Sequence, residues 1–157
     1  MSSSLPPSVK NAADPQPPAP TLDQHLCFKL YATSLKMTQL YKPLLSELKL
    51  TYPQYLVMVL LWERQGLGIK DVAARLEQDP GSITPLVKRL EAEGYLVRDR
   101  NPRDARNRVL TLTAAGRQLR HAAVRLSQAI AAACAIAPDE LSAMNGSLDR
   151  LKERLSG

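Results

Sequence analysis

Residues 68–113 carry two short helical patterns followed by two strand patterns, and this order restricts the fold more than any other feature. The two helical patterns consist of apolar residues at helical spacing, namely Val72, Ala73 and Leu76, then Ile83, Leu86, Val87 and Leu90. Between them, Asp79-Pro80 supplies an N-cap and a first-turn proline, and Gly94 is suited to end the second helix. Two short helices joined by a tight turn predict a helix-turn-helix.

After Gly94 the hydrophobic period changes from helical to alternating. The segments YLVRDR and NRVLTLT are rich in strand formers, and the turn-forming NPRDAR joins them, which predicts a two-stranded hairpin. A helix-turn-helix followed by a hairpin is the arrangement of a winged helix. The hairpin carries five arginines against two aspartates, and the arginines are Arg98, Arg100, Arg103, Arg106 and Arg108.

The second of the two short helices has a polar face suited to double-stranded DNA. If its apolar residues face inward, the solvent side carries Ser82, Pro85, Lys88 and Arg89, with Thr84 at the border. Small hydroxyls reach base edges in the major groove, and cations reach phosphates. The net charge of +6 agrees with a polyanionic partner. The alternative is an ordinary solvated surface helix.

The tip of the hairpin is suited to a minor groove. Arginines there, Arg103 and Arg106 among them, match the narrow and electronegative minor groove of DNA. Asp104 is placed to orient a neighbouring guanidinium. A solvated charge run is the alternative, but its position beside a helix-turn-helix favours nucleic-acid binding.

Two helices are predicted before the winged helix. Thr21 and Gln24 form a capping box that predicts the start of the first, and Pro43 predicts a kink or a break within it. Thr51 and Gln54 repeat the box ahead of the apolar run YLVMVLLW, which predicts a mostly buried second helix.

Two further helices are predicted after the hairpin. Thr113 is suited to cap a long one, and Pro138 to begin the last. The last helix repeats apolar residues at near-heptad spacing, namely Leu141, Met144, Leu148, Leu151 and Leu155. Such a seam exceeds what a small domain needs for its own core and predicts a homodimer.

Composition agrees with a helical domain. The chain has 157 residues, 45% apolar and only 4% aromatic, which favours helices over a β-sandwich. Residues 1–20 contain six of the twelve prolines and predict a disordered tail, so residues 21–157 are expected to form a single domain. Without a long apolar segment or a secretory pattern, we expect a cytoplasmic protein with no membrane partner, in which two cysteines need not form a permanent disulfide.

The segment ITPLVKRLEAEGYLVRDRNPRDARNRVLTLTAAG resembles the winged-helix core of the MarR family of dimeric bacterial transcription regulators. The likeness includes Asp104-Ala105-Arg106 at the wing and an L-T-x-x-G entry to the next helix. The upstream segment LCFKLYATSLKMTQLYKPLLSELKLTYPQYL is similar to the organic-hydroperoxide-sensing repressors of that family, called OhrR. The resemblance implies a mainly α fold with a winged-helix core at about 53–113 and dimerisation helices at about 21–50 and 114–155.

Two cysteines, Cys27 and Cys134, are present, and by themselves both are more simply interpreted as small core residues. Cys27, however, shares a helical face with Tyr31. No arginine lies near it in sequence and only His25 and Lys29 are local cations, so hydrogen bonds from phenol OH groups are the available way to stabilise a thiolate.

The resemblance implies that Cys27 is the sensing thiol and that Tyr41 and Tyr52 of the partner subunit donate hydrogen bonds to it. It implies further that Tyr31 lies nearby. It also implies that Cys134 resolves the oxidised Cys27 as an intersubunit disulfide, whereas Tyr55 is expected in the core.

The expected protein is thus a repressor that binds a pseudo-palindromic operator when reduced and releases it when an organic hydroperoxide oxidises Cys27. One thiol per event makes it a stoichiometric sensor rather than an enzyme, with no cofactor and no metal. Three alternatives stay open: a MarR-type repressor released by a small phenolic or acidic ligand with inert cysteines, a thiol peroxidase, and a chromatin-like structural protein.

Overall fold

The computed structural model describes residues 17–157, so most of the proline-rich segment at 1–20 lies outside the described residues. The chain divides into two compact units, Met1–Leu35 and Lys36–Gly157, which are described one at a time. Six helices and two strands follow a short 3-10 turn at Leu22–Gln24: α1 Leu26–Glu47, α2 Tyr52–Glu63, α3 Ile69–Arg75, α4 Pro80–Ala92, β1 Leu96–Arg100, β2 Arg108–Leu112, α5 Ala114–Cys134 and α6 Pro138–Ser156.

The first unit shows that the predicted capping box at Thr21 is wrong. The Thr21 side chain makes no capping hydrogen bond; its carbonyl instead accepts from the backbone N–H of Gln24 at 3.1 Å and closes the 3-10 turn. His25 is extended, with φ −82° and ψ 106°, and separates this turn from α1. Backbone pairing has therefore replaced the side-chain cap, and α1 begins at Leu26.

Pro43 does not break α1, which runs from Leu26 to Glu47. A proline removes one backbone donor, so the carbonyl of Gln39, four residues earlier, loses its helical partner. Gln39 and Pro43 are both exposed, and water can therefore take the place of the missing donor. Of the predicted kink or break, the break is absent, because the cost falls on the solvent side of a helix that stays continuous.

The caps predicted inside the second unit are confirmed. Thr51 and Gln54 form a reciprocal capping box at the start of α2. The Asp79 carboxylate accepts from the backbone N–H of Gly81 at 2.9 Å and begins α4, and the Thr113 hydroxyl accepts from Gly116 at 3.1 Å and begins α5. These bonds join residues two or three apart in sequence, and so the local pattern was sufficient to predict them.

One core lies beneath the helix-turn-helix and the hairpin. Its fully enclosed side chains come from most elements of the unit: Leu45, Val57, Met58, Leu61, Val72, Ile83, Val87, Leu90, Leu96 and Leu110. The predicted mostly buried character of α2 is confirmed, since it contributes six buried residues, Tyr55 among them. Burial of both short helices against α2 and the hairpin positions α4 at the surface.

The hairpin pairs β1 with β2 in antiparallel register, from Leu96 opposite Leu112 to Arg100 opposite Arg108. An additional bridge joins Leu67 to Leu110, whose backbone N–H donates to the Leu67 carbonyl at 2.8 Å. The sequence did not predict this third strand position. With it, the predicted winged helix is confirmed and the hairpin is anchored to the segment before α3.

The last helix, α6, begins at Pro138 as predicted, and none of its residues is buried. Its apolar positions Leu141, Met144, Leu148 and Leu155 are between 40% and 78% exposed. An ion pair of 2.8 Å joins Lys152 of this helix to Glu77, and the bond to that carboxylate raises the pKa of Lys152. None of the helices in residues 17–157 combines the length and apolar character required to cross a bilayer.

Candidate nucleic-acid interface and redox site

The face of α4 predicted for DNA is exposed. Ile83, Val87 and Leu90 are fully buried, and the opposite side presents Ser82, Pro85, Lys88 and Arg89 to solvent. Thr84 is half-buried at the border, and its hydroxyl donates to the carbonyl of Pro80 at 3.1 Å. The Thr84 oxygen thus keeps acceptor capacity toward solvent while its proton is used within the helix.

A groove of about 890 Å³ lies between the helix-turn-helix and the hairpin. Four cations line it against two carboxylates: Lys70, Lys88, Arg98 and Arg108 against Asp71 and Glu91. Arg98 and Glu91 are within 3.4 Å, and the Arg108 guanidinium donates to the Arg98 carbonyl at 3.3 Å. The ion pair joins β1 to α4, the second bond joins β2 to β1, and the groove keeps a basic surplus.

The tip of the hairpin is organised by two side-chain acceptors, and one was predicted with the wrong partner. Asp104 accepts from the backbone N–H of Arg106 and from the side-chain amide of Asn107, both at 3.0 Å. Asn101 likewise accepts from the backbone of Arg103 at 2.9 Å. The prediction that Asp104 orients a guanidinium is wrong, because the turn brings the backbone N–H of Arg106 and the side-chain amide of Asn107 to its carboxylate instead.

As a result, the two tip arginines point outward from a braced loop. Arg103 and Arg106 are exposed. Among residues 17–157, neither of their guanidinium groups forms an ion pair with a carboxylate. Both charges are therefore available to a polyanion while their backbone is held in place.

Three tyrosines of the second unit form a ring cluster, which we call the tyrosine cluster: Tyr41, Tyr52 and Tyr55. The centroids of Tyr41 and Tyr52 are 4.9 Å apart, and that of Tyr55 lies 5.8 Å from Tyr41 and 6.3 Å from Tyr52. Tyr55 is 6% exposed, which confirms its expected place in the core, and its hydroxyl lies 3.2 Å from that of Ser127 on α5.

The environment of the cluster raises the pKa of its two outer phenols. Burial raises the pKa of Tyr41, and the neighbouring Tyr52, Tyr55 and Cys134 raise it further. Burial and then Tyr55 also raise the pKa of Tyr52. A phenol is an uncharged hydrogen-bond donor at neutral pH even at its ordinary pKa of about 10, and the raised pKa keeps Tyr41 and Tyr52 protonated to still higher pH. The cluster can therefore donate to an anion that approaches it.

The two cysteines belong to different units. Cys27 is an exposed free thiol in the first unit, where Tyr31 is also exposed. Cys134 is a half-buried free thiol at the end of α5, packed against the core and close enough to Tyr41 to act on its pKa. Tyr41, Tyr52 and Cys134 are therefore brought together within one unit of one chain.

A junction that the sequence analysis missed joins α2, α5 and the start of the hairpin. The indole N–H of Trp62 donates to the carbonyl of Gly116 at 2.9 Å, and the Tyr95 hydroxyl donates to the Leu48 carbonyl at 3.0 Å. Trp62 is the single tryptophan of the chain, which was the one available signal. Within residues 17–157, no group of three or more potential metal ligands is assembled.

Comparison with known proteins decides the family. A model described as transcriptional regulator SarA/Rot matches residues 39–122. The organic hydroperoxide resistance transcriptional regulator of Bacillus subtilis is 40% identical over 134 residues, which cover 85% of this chain and 91% of that protein. The chain belongs to the MarR family of winged-helix transcriptional regulators.

Solved structures of MarR-type regulators match the fold. Reduced AbfR bound to DNA superposes with a TM-score of 0.71 at 31% identity, covering 87% of this chain and 95% of that one. AbfR, from Staphylococcus epidermidis, has also been solved in an overoxidized, DNA-bound form and in a disulfide form. CouR of Rhodococcus jostii RHA1, bound to p-coumaroyl-CoA, matches with a TM-score of 0.73 at 30% identity, over 85% of this chain and 94% of that chain. The predicted family and the winged-helix fold are confirmed.

Proposed function

We propose that the protein is a redox-sensing transcriptional repressor that binds double-stranded operator DNA as a reduced homodimer and releases it when an organic hydroperoxide oxidises Cys27. The observation that carries the proposal is the tyrosine cluster beside Cys134 in a chain 40% identical to an organic hydroperoxide resistance regulator. Because its target is the bacterial chromosome, we place the protein in the cytoplasm.

The α4 face and the hairpin tip support DNA as the partner. Ser82, Pro85 and the acceptor side of Thr84 are suited to base edges, and Lys88 and Arg89 to phosphates. Arg103 and Arg106, braced by Asn101 and Asp104, are suited to the minor groove. Truncation of Arg106 to alanine is expected to weaken operator binding without altering thiol oxidation. Equal affinity for the operator would remove the wing from the interface.

Exposed apolar residues support the homodimer. Leu141, Met144 and Leu148 lie on α6 with substantial exposed area, and α1 exposes Leu26 and Leu40 to a similar degree. Exposed leucines on terminal helices are costly in a monomer and are stabilised when two chains bury them together. A dimer would also place two copies of α4 about one helical turn apart, as a pseudo-palindromic operator requires.

The chemistry begins at Cys27. Its thiolate attacks the outer oxygen of the hydroperoxide, the O–O bond breaks, and the alkoxide leaves with a proton as an alcohol, so that the sulfur becomes a sulfenic acid. The phenols of Tyr41 and Tyr52 from the partner subunit stabilise the thiolate by hydrogen bonding, with Tyr31 nearby. The tyrosine cluster supports this role, because Tyr41 and Tyr52 lie side by side, with ring centroids 4.9 Å apart, and both phenols are protonated donors at neutral pH.

The second step is disulfide formation. The Cys134 thiol attacks the Cys27 sulfenic sulfur of the other subunit, the S–O bond breaks, and water leaves with the thiol proton. The half-buried position of Cys134 beside Tyr41 supports the pairing, because one chain then supplies the resolving thiol and the phenols to the Cys27 of its partner. The intersubunit disulfide changes the spacing of the two α4 helices, and a cellular dithiol later reduces the disulfide.

The test is a gel shift on DNA upstream of the protein's own gene, with and without cumene hydroperoxide. The wild type is expected to release DNA on oxidation, whereas Cys27→Ser is expected to bind and stay bound. As the matched variant, Cys134→Ser should form sulfenic acid but no linked dimer on a non-reducing gel. Release of the Cys27→Ser protein by hydroperoxide would refute the assignment of the sensing thiol.

One observation favours a second candidate function. The structural relative CouR is bound to p-coumaroyl-CoA, and a cavity of about 350 Å³ lies between α2 and α5, lined by Tyr55, Trp62 and Arg120 among others. A repressor released by a small phenolic or acidic ligand would use such a cavity, with inert cysteines. In that case release by a phenolic acid, and by nothing oxidising, would persist in Cys27→Ser.

A further inference from the structure

A continuous set of contacts runs from the tyrosine cluster to α4, and Trp62 is its central member. The rings of Tyr55 and Trp62 meet edge to face, with centroids 6.4 Å apart and planes at 66°. On its other side, the Trp62 indole N–H donates to the Gly116 carbonyl at 2.9 Å. Trp62 thus contacts the cluster through its ring and the first turn of α5 through its polar atom.

Gly116 continues the set because it lies against the main chain that follows α4. A Cβ built on Gly116 would overlap the Tyr95 carbonyl oxygen and lie 3.0 Å from the Tyr95 carbonyl carbon. Only glycine permits this approach. The first turn of α5 therefore moves together with the backbone at Tyr95, since neither can give way through a side-chain rotation.

From Tyr95 the contacts reach the end of α4. The Tyr95 backbone N–H donates to the Leu90 carbonyl at 3.0 Å, and its carbonyl accepts from Thr113 at 3.1 Å. The Thr113 hydroxyl also donates to the Gly94 carbonyl. Because Gly94, at φ 78°, ends α4, a shift at the start of α5 changes how α4 is held.

A simple packing role does not account for the indole nitrogen. Trp62 is only half-buried, and the smaller ring of a phenylalanine, which lacks the N–H, would still present an aromatic face to Tyr55. The indole adds one directional bond between two helices, to a carbonyl 54 residues away. Such a bond fixes the position of α5 relative to α2, which area burial alone does not.

We propose that Trp62 is a positioning residue that couples the tyrosine cluster to α4, so that repacking of the cluster changes the orientation of the DNA-reading helix. The inference rests on the proposed redox function. When the thiolate held by Tyr41 and Tyr52 is oxidised, these phenols lose their anionic acceptor and their rings repack. The change reaches Tyr55, then Trp62, then the α5–Tyr95 contact.

The first test compares operator affinity in the reduced and oxidised states. Trp62→Phe keeps an aromatic ring but removes the N–H donor. We expect it to bind the operator within about twofold of wild type when reduced, and to reduce the loss of affinity on oxidation by roughly 2- to 30-fold. As the control, Gln65→Ala removes a side-chain bond to the Leu61 carbonyl at the end of α2 that does not reach α5, and it should retain the wild-type loss. The proposal would be overturned if Trp62→Phe lost as much operator affinity on oxidation as wild type does. It would also be overturned if the substitution lowered the affinity of the reduced protein by as much as it changed the effect of oxidation.

The second test needs no oxidant. Trp62 is the only tryptophan, so its fluorescence reports on this junction alone. Addition of operator to reduced protein should change the emission with the same midpoint as the gel shift, since α4 is held through the Gly116 contact. An emission that stays constant while operator binds would also reject the coupling. If wild type binds operator but is not released by hydroperoxide, the proposed redox function is wrong. The fluorescence measurement then still tests whether Trp62 is coupled to α4.

Discussion

Replacement of Gly116 by alanine places two opposing effects in one helix turn. Alanine is a better helix former than glycine by about 1 kcal/mol, so local propensity favours the variant. Against this, the new Cβ overlaps the Tyr95 carbonyl oxygen and lies 3.3 Å from the Leu112 Cδ2 atom. A carbonyl of the main chain cannot rotate away, so α5 and the Tyr95 backbone must separate.

The free-energy cost of this separation exceeds the gain in helix propensity. It strains the hydrogen bond from Trp62 to Gly116, now 2.9 Å, and the one from Thr113 to Tyr95, now 3.1 Å. Each bond contributes about 1 kcal/mol, and overpacking of a rigid contact costs about 1–3 kcal/mol. The net loss in the free energy of unfolding is therefore about 3 kcal/mol, equivalent to a fall of roughly 6–12 °C in Tm for a chain of this size.

Thermal unfolding followed by circular dichroism measures the effect, with protein concentration held constant because dimerisation shifts Tm. Gly146→Ala is the matched control, since its Cβ would meet only the flexible Arg150 guanidinium at 3.4 Å in α6. That variant should gain up to about 1 kcal/mol from helix propensity. A Tm for Gly116→Ala equal to or above that of wild type would show that the Tyr95 contact is not rigid.

Three further outcomes follow from other contacts. Thr51→Ala removes the reciprocal box of α2 and should lower the free energy of unfolding by about 1 kcal/mol in urea, whereas Thr51→Ser should restore most of it. The raised pKa of Tyr41 and Tyr52 favours the folded state below the unfolded phenol value of about 10, and this contribution is lost as pH rises through the folded values. The free energy of unfolding should therefore fall less steeply with rising alkaline pH when Tyr41 and Tyr52 are both replaced by phenylalanine. Identical pH curves for wild type and variant would show that other groups cause the alkaline loss of stability. Asp104→Ala releases the turn before Arg106 and should weaken operator binding by roughly tenfold, while Asp104→Asn, which keeps one acceptor and loses a negative charge near DNA, should bind at least as tightly as the alanine variant.

The sequence was a good guide where a few neighbouring residues decide the outcome. The caps at Thr51, Asp79 and Thr113 formed as predicted because each side chain bonds a backbone group within the next turn. The cap at Thr21 had the same pattern and failed, because a 3-10 turn satisfied the same donor first. Of the kink or break predicted at Pro43, the break did not form, because the sequence pattern did not show that this side of α1 faces solvent.

The candidate site was predicted in its parts but not in its connections. The outward face of α4 followed from helical spacing, as Ser82 and Lys88 confirm by their exposure. The donors to the Asp104 carboxylate did not follow from the sequence, because the wing turn decides whether a carboxylate meets a guanidinium or an amide. The roles of Cys27 and Cys134 came from family resemblance and stay predictions.

The sequence by itself determined the order of helices and strands, most helix starts, and the split of α4 into a buried and an exposed face. These follow from spacing and capping, which act over a few residues. Only the tertiary structure decided that Tyr55 meets Ser127, that Tyr95 meets Leu48 and that Trp62 meets Gly116, pairs 72, 47 and 54 residues apart. No periodicity encodes such pairs, because each depends on how several packed elements bring distant segments together.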